Sequence, residues 1–560
     1  MHSDSLVEVL EVDPVSGRYG VLRDARGQIF VGHWKPFKDA GFPSLARGAV
    51  YRVRIAVDER DQVTPRVTEV AGRETDPEPL AWPAVHVCEG RRFSTVEAFL
   101  AEMRQAGELV IIRDCDFDVM EHEGLTLSVP VLFAQCRFHG DFRLVNSRFA
   151  GSVVFSQCRF ERHFSLKGAR VADNLVFLGC DYSGPGGVSL RGLQARSVFM
   201  EYDTAGPSDM TWLNDMNLSG CLSLCGAFPA PVQIAGIQDE DSPQRRPFLQ
   251  RILIGRRAYA NEVLSGNRFE GGIVLSDYYV QGAVEVTRAV LRELQLSRVS
   301  AARLALIDCE VERDLVLRET ALGDAGSCLR VEHSNIGRAF NILGASRLGG
   351  DVSLDFSTVE KSLVFEEVDW APGKGLSSRR FHAGAVWFEP VELIYGQPRR
   401  RHWLRPPSLR ILARARMIDG WQCDAELAEE YTLLKRWLGD SGHMEEEDHA
   451  LFYMRQAKER SLFKKALMGG VFGWGIRLRN ILISSLLVVM LFALVLWQGF
   501  GFTLPGGILF SAQAFISSFF GAWADYPPVG LLSLLVTLQS VVGIVFITVF
   551  VGAYVRKMLR

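Results

Sequence analysis

The sequence predicts a multi-domain membrane protein: a small N-terminal β-barrel, a divergent β-helix solenoid, an α-helical hairpin, and two membrane spans joined by a re-entrant loop. Three observations carry that expectation. The middle of the chain repeats at a fixed step, two uncharged apolar stretches stand near the C-terminus, and the N-terminal residues break into short strand-like segments separated by turns. At 560 residues the chain has room for about three or four domains. A hydrophobic share of 48% and a mean hydropathy of +0.09 are high for a wholly soluble protein. The net charge of -3 argues against a global polyanion binder. The opening MHSDSLVEVLEVDP carries acids where a secretory signal has a basic region and an apolar core, so the N-terminus is expected in the cytosol. The ten cysteines are scattered through apolar repeats, as reduced core thiols are.

Residues 1–72 contain LVEVLEVD, GRYGVLRD, GQIFVGHW, GAVYRVRIAVD and VTPRVTEV, strands that suit a small barrel. GRYGVL and QIFVGHW, followed by GFPSLARGAVYRVRI, resemble the paired nucleic-acid-binding strands and later strands of a cold-shock domain, an OB-like barrel. That resemblance implies Tyr19, Phe30, His33 and Trp34 as a stacking platform for single-stranded nucleic acid. Val21 stands where the family has a second aromatic, and acids and bases roughly balance, so phosphate affinity should be weak. A barrel that contacts protein is the other reading. Residues 73–107 read as a linker with a short helix.

The solenoid is expected over residues 108–370. VLFAQCRFHGDF, VVFSQCRFERHF and LVFLGCDYSG place Cys136, Cys158 and Cys180, and likewise Phe133, Phe155 and Phe177, at steps of 22 residues. A half-step of 11 runs through Phe138, Phe149, Phe160, Val171 and Tyr182. Periods near 20 residues mark solenoids, whose coils bury an apolar ladder against their neighbours. The pacing resembles the pentapeptide-repeat β-helix, with a half-coil one residue longer than the family's ideal. Residues 203–262, with DEDSPQRRPFLQ, read as an insertion or irregular coil. The cysteine ladder could be a metal or redox array, but one thiol per coil in an apolar register points to core stacking, and Cys221 and Cys225 lack a second pair. The chain contains no Walker loop, GxSxG, HExxH or other catalytic signature, so no enzyme, cofactor or metal site is expected. The solenoid then holds a cytosolic ligand or protein partner.

Residues 371–423 form a basic linker; its QPRRRHWLRPP is either solvated or in contact with anionic lipid. Residues 424–466 read as two amphipathic helices joined at GDSGH. Within them HMEEEDH is an acidic helix start, or a cation site of carboxylates and imidazoles. This segment and GVFGWGIRLRN after it are similar to parts of bacterial proteins that combine pentapeptide repeats with a two-span channel module.

The membrane module is expected over 467–560, with spans at about 480–500 and 531–555 and a pore loop at 504–530. Each span can cross a hydrocarbon core roughly 30 Å thick. Arg477 and Arg479 precede the first span, and Arg556, Lys557 and Arg560 follow the second. By the positive-inside rule both termini are cytoplasmic, in a multi-pass protein of the cell membrane. SSFFGAWAD, Ser517 to Asp525, resembles the filter signature of two-transmembrane potassium-channel-like proteins, with Trp523 on the aromatic and Asp525 on the final acid. The second span is similar to the inner helix of bacterial members. The resemblance implies a homotetramer, a pore lined by Ser517, Ser518, Gly521, Ala522, Trp523, Ala524 and Asp525, monovalent cations as the conducted species, and a hinge at Gly543. Ala522 and Ala524 replace both glycines of the filter, and a Cβ in left-handed backbone costs about 1–2 kcal/mol, so a potassium-type filter is not expected. Thr537, Gln539 and Ser540 interrupt the second span and should face helices or a cavity rather than lipid. The competing reading is a non-conducting, membrane-anchored β-helix scaffold that binds a protein or nucleic-acid partner.

Overall fold

Alternation of apolar and polar residues makes the N-terminal segments two-faced strands, and these curl into a half-barrel. They are β1 (His2–Val12), β2 (Tyr19–Asp24), β3 (Ile29–His33), β4 (Val50–Val57) and β5 (Pro65–Glu74), antiparallel in the order β3-β2-β1-β4-β5. Val7, Val9, Leu22, Phe30, Phe37, Tyr51 and Val53 fill the inside. The computed structural model describes residues 2–12, 19–57, 65–74, 84–104, 107–182, 184–202, 209–236, 247–257, 262–263, 266–323, 326–371, 376–378, 380–389, 425–440, 442, 444–520 and 530–559. It divides into two units, residues 1–413 and 414–560.

A parallel β-solenoid of about 12 turns follows, over residues 85–387. The 22-residue step is one coil: Val131, Val153 and Leu175 pair in register, as do Phe133, Phe155 and Phe177. The 11-residue half-step is equally physical. Each half-coil is a longer strand, a left-handed corner and a two-residue strand, as in Val131–Ala134, Gln135 and Arg137–Phe138. Gln135, Asn146 and Gln157 turn successive corners at φ 57, 54 and 54. Inside, Phe133 stacks on Phe155 at 4.8 Å and Phe138 on Phe160 at 4.8 Å, so identical rings meet once per coil.

The corners explain the cysteine ladder. At many corners the residue after the left-handed position points inward and is small, as at Cys136, Ser147, Cys158, Cys309 and Ser357, whereas Met216, Tyr278 and Val299 fill other corners with larger side chains. Where it is Cys or Ser, its thiol or hydroxyl donates to main-chain carbonyls of its own coil and of the coil before. Cys158 Sγ lies 3.4 Å from the Phe133 oxygen and 3.6 Å from that of Ser156. Ser357 Oγ makes the same two contacts, at 2.9 Å to Val331 and 3.4 Å to Asp355. Burial pushes the Cys158 thiol well above its ordinary pKa, away from thiolate chemistry. Cys158→Ser is therefore expected to change unfolding free energy by less than about 1.5 kcal/mol, whereas Cys158→Leu should cost about 1–3 kcal/mol through overpacking. Urea unfolding of the two variants checks this.

Outside, successive coils meet through ion pairs. His139 Nδ1 lies 3.0 Å from Glu161 and Nε2 3.2 Å from Asp116. The hydrogen bond to Glu161, with that to Asp116, outweighs desolvation and raises the imidazole above its ordinary 6.5. A raised pKa in the folded state means a stabilisation complete below 6.5 and lost as the pH rises through the folded value. The melting temperature of His139→Gln should accordingly fall below wild type at pH near 5.5 and coincide with it at pH near 8.5.

The solenoid is longer than the sequence suggests at both ends. Val85–Glu89 is already one of its strands, and the helix Val96–Met103 belongs to its base rather than to a linker. Thr95 caps that helix through Ala98 N at 3.3 Å, and Phe99 packs on Phe117 and Phe133. At the other end His382–Glu389 is still paired with Thr358–Glu366, beyond the expected limit of 370. Within 203–262 the described strands Thr211–Trp212, Asn217–Phe228, Val232–Ala235 and Phe248–Ile254 continue the sheets, with an irregularity in register between Leu218 and Cys221. The basic run at 397–407 lies outside the described residues.

One solenoid face is covered. Leu132, Val154, Val176, Phe199 and Leu253 point outward yet are buried, because Leu10, Tyr19, Val21, Ile29 and Val31 of the half-barrel lie on them. Buried ion pairs edge this contact: Arg113 Nη2 with Glu11 Oε2 at 3.0 Å, and Arg257 with Glu201. Further along the same sheet the outward residues turn polar, with Arg251 and Arg303 each 2.8 Å from Glu285.

Candidate membrane module and the barrel face

In the second unit, helices Leu478–Phe500 and Leu531–Met558 each contain an 18-residue stretch of mean hydropathy 2.5 and are long and apolar enough to cross a bilayer. Gly501, at φ 70, ends the first in the left-handed conformation that glycine tolerates best. Thr503 then starts the helix Leu504–Phe520, its hydroxyl accepting from Gly506 N at 3.3 Å ahead of which Pro505 needs no partner.

This third helix lies between the two long ones, and small residues make room for it. Gly507 faces the Ala493 backbone, and Ser511 Oγ donates to the Val489 oxygen at 2.7 Å. On its other side Gln539 Nε2 donates to the Ser511 oxygen at 2.7 Å and to its hydroxyl at 2.5 Å. Ser540 Oγ donates to the Ala514 oxygen at 3.0 Å, and a Cβ on Gly543 would collide with the Phe515 oxygen. Ser511 and Gln539 are almost fully buried. Its partners step backward along the first long helix and forward along the second. The short helix is thus antiparallel to one and parallel to the other. Phe515 sits beside Gly543, about 18 Å along the second long helix from its start at Leu531. Phe520 and Gly530, which the loop must join, therefore lie at different depths.

Of the four residues expected on the second span, Gln539, Ser540 and Gly543 converge on the short helix. Thr537 does not; it is exposed and bonds its own helix at Ser533 O, 2.8 Å away. The helix is continuous from Leu531 to Met558, and the missing side chain of Gly543 serves close approach. Ser517 and Ser518 fall in the last turns of the short helix. Their side chains, and Gly521, Ala522, Trp523, Ala524 and Asp525 altogether, lie outside the described residues. Ser511 and its neighbours Gly507 and Ala514 were legible only as small residues at i, i+4 and i+7.

At the other end of the long helices a joint ties them to the helical hairpin Ala425–Asp440 and Met444–Lys458. Gly473, Trp474 and Gly475 all have positive φ (54, 55 and 68). Trp474 is held there by its indole N–H on Gln456 Oε1 at 3.0 Å and by Arg455 Nη1 on its carbonyl at 3.2 Å. The Arg477 guanidinium lies 3.6 Å from the Phe452 ring centre, a desolvated cation–π contact. Arg556 pairs with Asp448 at 3.2 Å. In the acidic HMEEEDH segment Glu447 pairs with Lys435 at 3.2 Å, and among the described residues no three His, Cys, Asp or Glu side chains gather as a metal site.

The barrel residues read as a base-stacking platform do not form one. Tyr19 is buried, with Arg257 4.7 Å from its ring centre, on the face that the solenoid covers. Phe30 points into the barrel core. His33 and Trp34 are half-buried, Lys38 lying 4.7 Å from the Trp34 ring centre. The paired strands β2 and β3, which the cold-shock resemblance implies as the binding surface, are the strands used for docking.

These features define a class: a multi-domain β-solenoid protein with an N-terminal half-barrel and two long apolar C-terminal helices. No family model, curated protein or solved structure matches the chain, so the particular protein is characterised by this architecture alone.

Proposed function

We propose that the chain is one subunit of an oligomeric membrane pore, with both termini in the cytosol and a large cytosolic sensing region. The observation that carries this reading is the short helix between the two long ones, parallel to the second and held by the buried Gln539–Ser511 pair. An anchor needs only two spans and a solvated loop. A third apolar helix that ends beside the middle of its neighbour places a chain end at membrane depth, where polar backbone is tolerated when protein buries it or it lines a water-filled path. One pair of spans cannot enclose a path, so copies of the chain surround it, four by the channel resemblance. Asp525 would then favour cations at the outer mouth. The hairpin joint, through Arg477 and Asp448, would pass strain from the cytosolic region to both long helices.

The test is ion flux through liposomes carrying the full-length protein, with potassium and sodium gradients applied separately. Flux altered by Asp525→Asn supports the pore. Silence in wild type and variant supports the second reading, a non-conducting anchored scaffold, which Ala522 and Ala524 in place of filter glycines favour.

A further inference from the structure

A groove of 710 Å³ runs along the solenoid face formed by the two-residue strands, from Thr126 to Phe248. At about 4.8 Å per coil it spans about 24 Å. Among the described residues, those that line it include three arginines and no carboxylate. Arg196 is 3.6 Å from Asp173. Arg148 and Arg170 are different: they are exposed, directly opposite each other in adjacent parallel strands, and without an ion pair among the described residues. Like charges in that register repel. The same column later carries Arg347, which does have a carboxylate opposite, Asp369 at 3.7 Å.

Beyond the arginines the outward column continues as Gln194, Asn217, Phe248 and Tyr279. The Asn217 oxygen accepts from Phe248 N at 3.1 Å, which leaves its amide N–H₂ facing outward as a donor. Phe248 and Tyr279 stack at 5.9 Å on the outer surface, with Tyr279 44% exposed. The strip therefore presents two exposed guanidiniums with no carboxylate beside them among the described residues, then amides, then an aromatic platform, on a floor of small residues such as Ala150 and Ala172. An acidic peptide would use the arginines alone. A single nucleotide strand uses every part: phosphates at the arginines, base edges at the amides and a base face on the aromatic pair.

We infer that this groove binds single-stranded nucleic acid. The assignment is independent of the membrane reading. It places the nucleic-acid surface on the solenoid rather than on the barrel strands, which the solenoid covers. The arginines give the affinity and its salt dependence; Phe248 and Tyr279 hold bases without reading their sequence.

The experiment is fluorescence anisotropy of a labelled single strand of about twelve nucleotides, titrated with full-length protein in detergent at about 50 mM salt. Saturable binding is expected, weakened about tenfold by the double variant Arg148→Gln/Arg170→Gln and about fivefold or more by Tyr279→Ala. All three side chains are exposed, so the variants should keep wild-type circular dichroism, which is measured alongside. Polyglutamate of equal charge should bind more weakly and ignore Tyr279→Ala. No saturable binding by the oligonucleotide overturns the assignment, and so does binding that the double variant leaves unchanged. Polyglutamate binding as tight as the oligonucleotide, with Tyr279→Ala without effect on either, would make the groove a site for acidic protein and also overturn it.

Discussion

Gly543→Val is expected to displace the short helix and unfold the three-helix module, at a cost of about 3 kcal/mol or more. The argument is steric. The obstacle is the Phe515 carbonyl oxygen, part of a helical backbone that cannot rotate away as a side chain can. To admit a Cβ the two helices must separate, and separation breaks the bonds from Gln539 to Ser511 and from Ser540 to Ala514. Apolar surroundings leave those groups few other partners. Gly552 is the control: it lies on the same helix with nothing near its would-be side chain, so Gly552→Val should be close to neutral. Thermal unfolding of the full-length protein in detergent compares the two. Equal melting temperatures would mean that the short helix does not rest on Gly543.

Glu11→Ala should weaken the docking of the half-barrel on the solenoid by about 3–5 kcal/mol, the range for removing one member of a buried ion pair. Glu11 and Arg113 are both buried. Burial raises the Glu11 carboxyl above its ordinary pKa despite nearby arginine, so the pair already carries a large desolvation cost. Removing the carboxylate leaves Arg113 buried without its counter-charge. Amide hydrogen exchange at Val154 and Val176, under the half-barrel, should accelerate in the variant, while exchange at Leu315 and Leu317, far along the solenoid, should not. Uniform acceleration would show that the variant harms the whole unit rather than the contact.

The coil repeat was readable because a solenoid is nearly one-dimensional. Each coil meets only its neighbours, so Phe133, Phe155 and Phe177 face the same surroundings and the period passes directly into the sequence. The corner role of the cysteines was half legible: the 22-residue step put Cys136, Cys158 and Cys180 in one core register, but the interchange with serine appears only when Cys158 and Ser357 are seen on equivalent carbonyls. The period was hard to follow near residues 203–262 because a register shift between Leu218 and Cys221 interrupts it while the described strands stay in the sheet.

The docked face shows the opposite case. VLFA, VVFS and LVFL are apolar on both sides of the strand, which in retrospect signals a covered sheet, whereas LQLS at Leu294–Ser297 alternates. Nothing local says what the cover is. Tyr19 has the same letters in a stacking platform and in a docking face, and only the long-range contact separates them.

What the chain determined by itself is therefore what depends on local pattern: the coil, its half-coil, the two long apolar helices and the strands of the half-barrel. Tertiary structure alone decided which faces meet. Burial of Tyr19, the grip of Gln539 on Ser511 and the pairing of Asp448 with Arg556 join residues far apart in sequence. Such contacts leave no periodic trace, because they arise from the packing of two surfaces rather than from the repetition of one.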